Sequence, residues 1–275
     1  MSIPDSRLPT PGSTAFIGGG NMARSLIAGL QRRGLDAGLI TVAEPQASLR
    51  EALAEEFGVR TCEEGREAVI GAEVVVLAVK PQVMQAVCEH LRGHVDDAVS
   101  VSVAAGVSCA RLGEWLGSGR VVRAMPNTPA LLGAGATGLH APQGLSAEDR
   151  SRAEAVLASA GLCVWVEDEA QMDVVTALSG SGPAYFFLLV EALVKAAAAQ
   201  GLPRTTAQAL AGQTALGAAR MLVESGEDPA ELRRRVTSPG GTTQAAIETL
   251  QAGGIEPLIA SAIEAAVRRG RELGG

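Results

Sequence analysis

A glycine-rich turn near the start of the sequence constrains the fold of this chain more than any other feature. The β-favouring run Thr14–Ile17 leads directly into Gly18-Gly-Gly-Asn-Met-Ala23, and apolar residues at helical spacing follow. A strand, a tight turn and a helix in this order form the context in which a G-x-G-x-x-A motif binds a dinucleotide. Gly18 permits the turn, Gly20 lets the backbone approach a pyrophosphate, and Ala23 lets the helix pack closely on a sheet. The predicted contacts in this segment are Gly18, Gly19, Gly20, Asn21 and Met22.

Strand and helix patterns alternate through the first 168 residues. The segment Glu73–Val79 contains an uninterrupted apolar run, which is typical of a strand buried on both faces of a parallel sheet. Strands that alternate with helices predict an α/β fold with a doubly wound, Rossmann-type sheet. The predicted strands are Thr14–Ile17, Leu39–Val42, Glu73–Val79, Val99–Val103, Arg120–Ala124 and Leu162–Val166.

From residue 170 onward the pattern changes, and only Ala/Leu-rich helical segments remain. We therefore predict a short flexible tail at 1–13, an N-terminal Rossmann-type domain at 14–168 and an all-α C-terminal domain at 169–275. The predicted helices of the last domain are Asp173–Leu178, Pro183–Gln200, Thr206–Glu224, Pro229–Val236, Thr243–Gly253 and Ile255–Leu273.

The residue that ends the second predicted strand bears on which cofactor binds. Glu44 stands where an acidic side chain accepts hydrogen bonds from the adenosine ribose, which favours NADH. Ser48 and Arg50 lie close enough in sequence to meet a 2′-phosphate, which would favour NADPH. The alternative is that Glu44 simply faces solvent beside Pro45. The sequence leaves the choice between NADH and NADPH open.

Two loops rich in Gly, Ser and Thr stand out in the helical domain. Leu178-Ser-Gly-Ser-Gly-Pro183 predicts a helix that begins at Pro183, with its N–H groups open to an anion. Val236-Thr-Ser-Pro-Gly-Gly-Thr-Thr243 gathers hydroxyl and N–H groups at the start of the next helix, where they suit a carboxylate. The alternative for each loop is a well-made helix cap.

Charge and composition exclude several classes of partner. The chain has 23 Lys and Arg against 30 Asp and Glu, a net charge of −7, with no basic block, which argues against nucleic acid and anionic membranes. The apolar stretch Ala184–Val194 is interrupted by Glu191 and looks too short for a bilayer, which needs roughly 20 apolar residues. The first 13 residues do not have the pattern of a signal peptide. We expect a cytoplasmic protein.

The cysteines and histidines predict no metal site. Cys62, Cys88, Cys109 and Cys163 form no C-x-x-C pair and are expected to be reduced thiols. His90 and His94 have the i, i+4 spacing of a metal pair, but no third ligand follows at a suitable spacing, so a solvated helix face is the preferred interpretation.

The motifs taken together resemble those of the pyrroline-5-carboxylate reductase family, over about residues 14–273. The first of them, Gly18–Ala23, is shared by many dehydrogenases, whereas the two loops of the helical domain are specific. The motifs are Gly18–Ala23, Ala78-Val-Lys-Pro81, Ala104-Ala-Gly106, Arg123-Ala-Met-Pro-Asn-Thr-Pro129, Leu178-Ser-Gly-Ser-Gly-Pro-Ala-Tyr185 and Val236–Thr243.

The resemblance implies an enzyme that reduces the cyclic imine Δ1-pyrroline-5-carboxylate to proline with NADPH or NADH, the last step of proline biosynthesis. It implies further cofactor contacts at Ala78, Val79, Lys80, Pro81, Val103, Ala104, Ala105 and Asn127. It also implies substrate contacts at Glu169, Ser238, Gly240, Gly241, Thr242 and Thr243. Members of the family dimerise through the helical domain and often assemble further into decamers. Neither the oligomer size beyond the dimer nor feedback by proline can be predicted from this sequence.

The sequence departs from some relatives at two positions that they use near the cofactor. Gly65 and Arg235 stand where some relatives carry asparagine. The run Arg233–Arg235 either offers positive charge to a phosphate or is a solvated helix face paired with Glu231.

For catalysis we predict that Thr243 hydrogen-bonds the ring nitrogen, orients it and relays its proton through water, because no histidine lies in the substrate motifs. Lys80 is the other candidate donor, but its place after a strand favours cofactor contact. The enzyme then mainly positions its reactants. Two other functions remain open: a β-hydroxyacid-type dehydrogenase, for which Lys195 would be the candidate catalytic lysine, and a non-catalytic NAD(P)-binding regulator.

Overall fold

The structure, a computed structural model, describes residues 10–274, with side chains to residue 272, so most of the predicted tail at 1–13 lies outside the described residues. These residues divide into two compact units. The sheet unit comprises residues 10–181 and 266–274, and the helical unit comprises residues 182–265.

A single eight-stranded sheet forms the sheet unit. Its strands are β1 (Thr14–Ile17), β2 (Ile40–Ala43), β3 (Arg60–Cys62), β4 (Val74–Leu77), β5 (Val99–Ser102), β6 (Val121–Met125), β7 (Gly135–His140) and β8 (Gly161–Trp165). They lie in the order β3-β2-β1-β4-β5-β6-β7-β8. Neighbours from β3 to β6 pair in parallel, β7 pairs antiparallel to β6, and β8 pairs in parallel with β7. The predicted doubly wound α/β fold is confirmed.

Helices of the sheet unit cover both faces of this sheet, and the described residues after the last strand form helices and turns. The helices are α1 (Asn21–Arg32), α2 (Ala47–Phe57), α3 (Gly65–Ala68), α4 (Pro81–Leu91), α5 (Cys109–Leu116), α6 (Ala147–Leu157), α7 (Gln171–Val175), α8 (Gly182–Ala199), α9 (Arg204–Ser225), α10 (Pro229–Arg235), α11 (Thr242–Ala252) and α12 (Ile255–Gly274).

The core of the sheet unit consists of one apolar cluster on each face of the sheet. Successive residues of β1 point to opposite clusters: Phe16 packs with α1 in one, and Ala15 and Ile17 pack with α4 in the other. All four side chains of β4 are fully buried, as the apolar run at 73–79 predicts.

Two strands, β3 and β7, and two helices, α3 and α5, were missing from the sequence prediction. β3 is only three residues long, and β7 contains Gly135 and Gly138, which weaken any strand signal. The glycines of β7 are required by close packing, since a Cβ on Gly138 would lie 2.5 Å from a methyl carbon of Val175. Helix α5 begins at Cys109 and is capped by the Ser108 side chain.

The prediction of a free helix N-terminus before Pro183 was wrong. Residues Gln171–Ala199 form one continuous helical stretch of 29 residues, in which α7 passes through a π turn (Thr176–Gly180) into α8. The Ser181 N–H donates to the Thr176 carbonyl, five residues back, at 2.8 Å. The Ser181 N–H is therefore used within the helix and is not open to an anion.

The same stretch is longer and more apolar than the sequence analysis expected. Its most apolar window has a mean hydropathy of 1.4, and by length and composition alone the helix could cross a membrane. In the helical unit, Phe186, Phe187 and Leu188 on α8 are 67%, 69% and 66% exposed. An apolar surface of this kind marks an interaction face.

A glycine in α1 tests the packing of the sheet unit. Gly29 lies so close to the Ser159 carbonyl that a Cβ would approach its oxygen to 2.4 Å. Helix propensity alone predicts that Gly29→Ala stabilises the protein by about 1 kcal/mol. We expect instead a loss of about 1–3 kcal/mol, because backbone must move to make room. Chemical denaturation measures the difference, and a variant more stable than the wild type would contradict this packing.

Candidate active site

The carboxyl ends of four parallel strands meet at one edge of the sheet, and most of the predicted cofactor segments begin there. In register, Ile17 of β1 lies beside Ala43 of β2 and Leu77 of β4, and Leu77 lies beside Ser102 of β5. The strand order changes direction between β1 and β4, where parallel sheets of this kind bind their ligands. The fold thus brings the segments at 18–23, 44, 78–81 and 103–105 to one edge.

Gly18 makes the turn that this edge requires. Its φ is +98°, and a Cβ there would lie 2.8 Å from the Ala78 carbonyl oxygen. Its N–H donates to the Ala43 carbonyl at 2.8 Å, which ties the turn to β2. Gly18 therefore holds the ends of β2 and β4 close to the start of the loop.

Gly20 leaves the start of α1 open. It is the N-cap of α1, no side chain caps it among the described residues, and a Cβ there would meet nothing within 4 Å. Asn21 and Met22 form the first turn, which contains no acidic residue. Ala23 is fully buried against the sheet. This N-terminus offers N–H groups and partial positive charge to a phosphate, as the motif predicts.

Glu44 does not simply face solvent, since it is only 7% exposed. One carboxylate oxygen accepts from the Gly19 N–H at 2.9 Å, and the other accepts from the Gln46 N–H at 3.1 Å. Arg50 donates to the Glu44 and Pro45 carbonyls at 2.7 and 2.8 Å. The carboxylate thus braces the glycine-rich loop, while the guanidinium is held by backbone oxygens.

Two further predicted segments follow β4 and β5. Lys80 is exposed and is the N-cap of α4, with Pro81 as the first residue of that helix. After β5, Ala104 donates its N–H to the Ser102 hydroxyl at 3.3 Å. Ala78, Val79, Val103 and Ala105 complete these segments.

Asn127 comes two residues after β6 and is only 9% exposed. Its Oδ1 accepts from the Ala136 N–H at 2.9 Å, and its Nδ2 donates to the Ser179 carbonyl at 2.9 Å. Its amide therefore joins the loop after β6 to both β7 and the π turn.

Glu169 is engaged inside the sheet unit. Its Oε1 accepts from the N–H of Cys109 at 2.7 Å and lies 3.3 Å from the guanidinium of Arg123, which is 7% exposed. Arg123 also lies 3.5 Å from Asp173. The sequence analysis assigned Arg123 and Asp173 no role. The only available signal was a charged residue within an apolar strand.

Glu169 also completes a group of possible metal ligands. Ligand atoms of Cys109, His140 and Glu169 all lie within 4.8 Å of one another. The Arg123 guanidinium already compensates the carboxylate charge, and burial raises the pKa of the Cys109 thiol to about 12. A neutral thiol and a carboxylate that is already paired are poor ligands for a cation. The group is therefore better described as part of an ion-pair network than as a metal site. His90, which the sequence analysis placed on a solvated helix face, lies 3.5 Å from Glu64 and is exposed.

In the helical unit, the loop at 236–243 has the predicted form. Gly240 has a φ of +70°, and Gly241 is the N-cap of α11 with no side-chain cap among the described residues. Thr242 and Thr243 form the first turn, and their hydroxyls have no hydrogen-bond partner in the part of the chain described. Ser238 is exposed, and its carbonyl accepts from the Gly241 N–H at 3.0 Å. The turn presents hydroxyl and N–H groups suited to a carboxylate.

Two of the three arginines in the run beside this loop form ion pairs. Arg234 donates to Glu231, and Arg235 donates to Glu227 at 2.6 and 2.7 Å. A cleft of about 680 Å³ lies between α10 and α11, and its lining includes Arg233 but neither Thr242 nor Thr243.

Comparisons with known proteins cover nearly the whole chain. Residues 169–273 match a family described as pyrroline-5-carboxylate reductase dimerisation, and residues 13–106 match one described as NADP oxidoreductase, coenzyme F420-dependent. A pyrroline-5-carboxylate reductase of Pseudomonas aeruginosa is 53% identical over 94% of this chain and 96% of that protein. The structure of a pyrroline-5-carboxylate reductase from Coxiella burnetii is 43% identical, with a TM-score of 0.93 over 97% of this chain and 100% of that one. That of Plasmodium falciparum pyrroline carboxylate reductase, with NADP bound, is 26% identical with a TM-score of 0.82, over 96% and 98% of the two chains.

Alkylation of the four cysteines tests whether their thiols are buried and neutral in the folded sheet unit. Burial raises the pKa values of the Cys88, Cys109 and Cys163 thiols to about 12, and it also raises the pKa of the Cys62 thiol. Against an unfolded value of about 8.5, the thiolate fraction at about pH 8 falls by about 1000-fold for the first three. We expect slow alkylation by iodoacetamide in the folded protein and rapid alkylation of all four in urea. Rapid labelling of Cys109 in the folded protein would refute its neutral, buried state.

Proposed function

The chain belongs to the pyrroline-5-carboxylate reductase family, and we propose that it reduces Δ1-pyrroline-5-carboxylate to proline with NADPH or NADH. The observation that carries the proposal is that the similarity extends through both units. Sheets of this type serve many dehydrogenases, so similarity over residues 13–106 alone would indicate nucleotide binding only. The helical unit carries the family-specific loop at 236–243.

In this proposal the 14–168 domain binds the cofactor at the carboxyl edge of the sheet. The open start of α1 supports a pyrophosphate site at Gly18–Ala23, because its N–H groups and helix dipole stabilise phosphate charge. The segments Ala78–Pro81 and Val103–Ala105 would lie beside the ribose and nicotinamide. When bound, the reduced nicotinamide supplies a hydride to the imine carbon.

The 169–275 domain would bind the substrate and a second copy of the chain. The uncapped first turn of α11 supports a carboxylate site, to which Ser238, Gly240, Gly241, Thr242 and Thr243 contribute. Thr243 would hydrogen-bond the imine nitrogen, orient the ring, and relay from water the proton that this nitrogen gains when the imine carbon accepts the hydride. A fixed geometry is the main need of a reactive electrophile. Glu169 remains a proposed substrate contact, although its Oε1 already accepts two hydrogen bonds.

Self-association also accounts for the apolar helix at 171–199. This stretch lies wholly within the segment that matches the dimerisation family. A second copy of the chain would bury the exposed apolar side chains of α8, so no membrane is required to cover them. We further propose that the enzyme works in the cytoplasm, which the four free cysteines support.

The β-hydroxyacid-type alternative is weakened by the state of its candidate lysine. Lys195 is 63% exposed on α8 and pairs with Glu191, one turn earlier. A lysine that is exposed to solvent and paired with a carboxylate is not held in a site where it could act on a substrate.

Turnover tests the proposed function. Purified protein with Δ1-pyrroline-5-carboxylate and either reduced cofactor should oxidise the cofactor and form an equal amount of proline. Cofactor binding without turnover would favour the regulator, and turnover of 3-hydroxy acids instead would favour the β-hydroxyacid-type dehydrogenase.

The Thr243 hydroxyl has a specific predicted effect. Thr243→Ala should lower kcat/KM for the imine by about 10- to 100-fold, because a hydrogen bond to the reacting group is lost, and should leave cofactor affinity nearly unchanged. Thr249→Ala is the matched control in α11, since that hydroxyl donates to the Ala245 carbonyl at 2.8 Å and faces no proposed ligand. Equal activity of the two variants would remove Thr243 from the mechanism.

The Glu44 carboxylate should set the preference between cofactors. Glu44→Gln keeps an acceptor for the Gly19 N–H but removes the charge that repels a 2′-phosphate. The ratio of kcat/KM for NADPH to that for NADH should rise about tenfold, which corresponds to about 1.4 kcal/mol. Steady-state kinetics with both cofactors measure this ratio, and an unchanged ratio would mean that Glu44 only braces the loop.

A further inference from the structure

We propose that Asn127 is a positioning residue, which fixes the π turn at Thr176–Gly180 against the cofactor edge of the sheet through the Ser179 carbonyl. The proposal gives the Asn127 side chain this role in place of the predicted cofactor contact, and it rests on the proposed reductase function for its kinetic consequence. The two hydrogen bonds of the Asn127 amide lie within the sheet unit.

Both ends of the Asn127 amide are fixed by their partners. The Ala136 N–H is a donor and the Ser179 carbonyl is an acceptor, each at 2.9 Å, so only one orientation of the amide satisfies both. The side chain is 9% exposed. It therefore bridges segments that are 9 and 52 residues away along the chain.

The Ser179 carbonyl lacks its usual α-helical donor. In a regular α-helix it would accept from the N–H four residues later, but that residue is Pro183, which has none. The helix passes through the π turn at this point, where the Ser181 N–H donates to the Thr176 carbonyl at 2.8 Å. The Ser179 hydroxyl donates to the Val175 carbonyl at 2.9 Å. The Asn127 amide donates to the Ser179 carbonyl from outside the helix.

The π turn also packs tightly on the end of β6. A Cβ on Gly180 would lie 2.7 Å from the terminal methyl of Met125, the last residue of β6. Strand β6 runs parallel to β5, so its end belongs to the same edge as the proposed cofactor segments. Asn127 thus sets the distance from this edge to the segment Ser179–Ser181. π turns within helices occur frequently at functional sites.

Hydride transfer depends on sub-ångström placement, so loss of this hydrogen bond should lower kcat more than cofactor affinity. Asn127→Asp provides a switchable test. The carboxylate of this variant can still accept from the Ala136 N–H. At about pH 8, however, its second oxygen faces the Ser179 carbonyl oxygen, and the two oxygens repel each other. Once protonated, as the pH falls toward the aspartate pKa of about 4, the side chain can donate to Ser179 again.

We expect kcat of Asn127→Asp, relative to the wild type, to be about 10- to 100-fold low at about pH 8 and to recover several-fold at about pH 5. Asn127→Ser is the control, because its side chain is too short to reach Ser179. Its kcat should stay low at both pH values. The dissociation constant for NADPH, from fluorescence titration, should change less than threefold in either variant. A pH-independent ratio for Asn127→Asp, or a parallel loss of NADPH affinity, would overturn the proposal.

Hydrogen–deuterium exchange provides a readout that does not depend on activity. The amides of residues 176–182 should exchange at least tenfold faster in Asn127→Ser than in the wild type, with no change in α6 as the internal control. Unchanged exchange would overturn the proposal even if activity falls. If the wild type shows no turnover but exchange rises as expected, the proposed function fails while the structural role of Asn127 stands. If Asn127→Asp does not fold, Asn127→Ser alone tests the proposal. Its exchange should rise, and its kcat should fall while its affinity for NADPH stays nearly unchanged.

Discussion

The close approach of the first loop glycine to the end of β4 is the constraint on which the cofactor edge depends. Gly18 adopts a φ of +98°, and a Cβ on it would lie only 2.8 Å from the Ala78 carbonyl oxygen. Its N–H donates a hydrogen bond to the Ala43 carbonyl. These contacts bring the ends of β1, β2 and β4 together at the point where the strand order reverses. Glu44 then braces the loop from β2 through the Gly19 N–H. A larger side chain at position 18 would separate the edge from the loop.

A second constraint acts where the sheet unit leads into the apolar helix. Pro183 cannot donate within its helix, and the chain responds with a π turn and a long-range hydrogen bond from Asn127. This local defect ties the π turn at Thr176–Gly180 to the end of β6 within the sheet unit. The exposed apolar side chains that follow it suit burial against a second copy, in keeping with the dimerisation family that the segment matches.

Much of this architecture could be predicted from local sequence patterns. The loop at 18–23, the buried strand β4 and the helices of the second unit follow from periodicity and glycine placement. β7 could not be predicted, because its glycines serve the packing of Val175 and the approach of Gly161, whose Cβ would lie 2.1 Å from the Gly135 oxygen. The pairing of Asn127 with Ser179 and that of Arg123 with Glu169 join residues about 50 positions apart, a relation that no local pattern encodes. The assignments of cofactor and substrate residues remain predictions.

The most direct test of the central claim is a crystal structure of the protein with NADP⁺ and proline bound. The account predicts the pyrophosphate at the first turn of α1, beside Gly18–Ala23, and the proline carboxylate at the first turn of α11, with the ring nitrogen within hydrogen-bond distance of the Thr243 hydroxyl. A pyrophosphate elsewhere on the sheet, or a proline carboxylate bound away from the loop at 236–243, would contradict it.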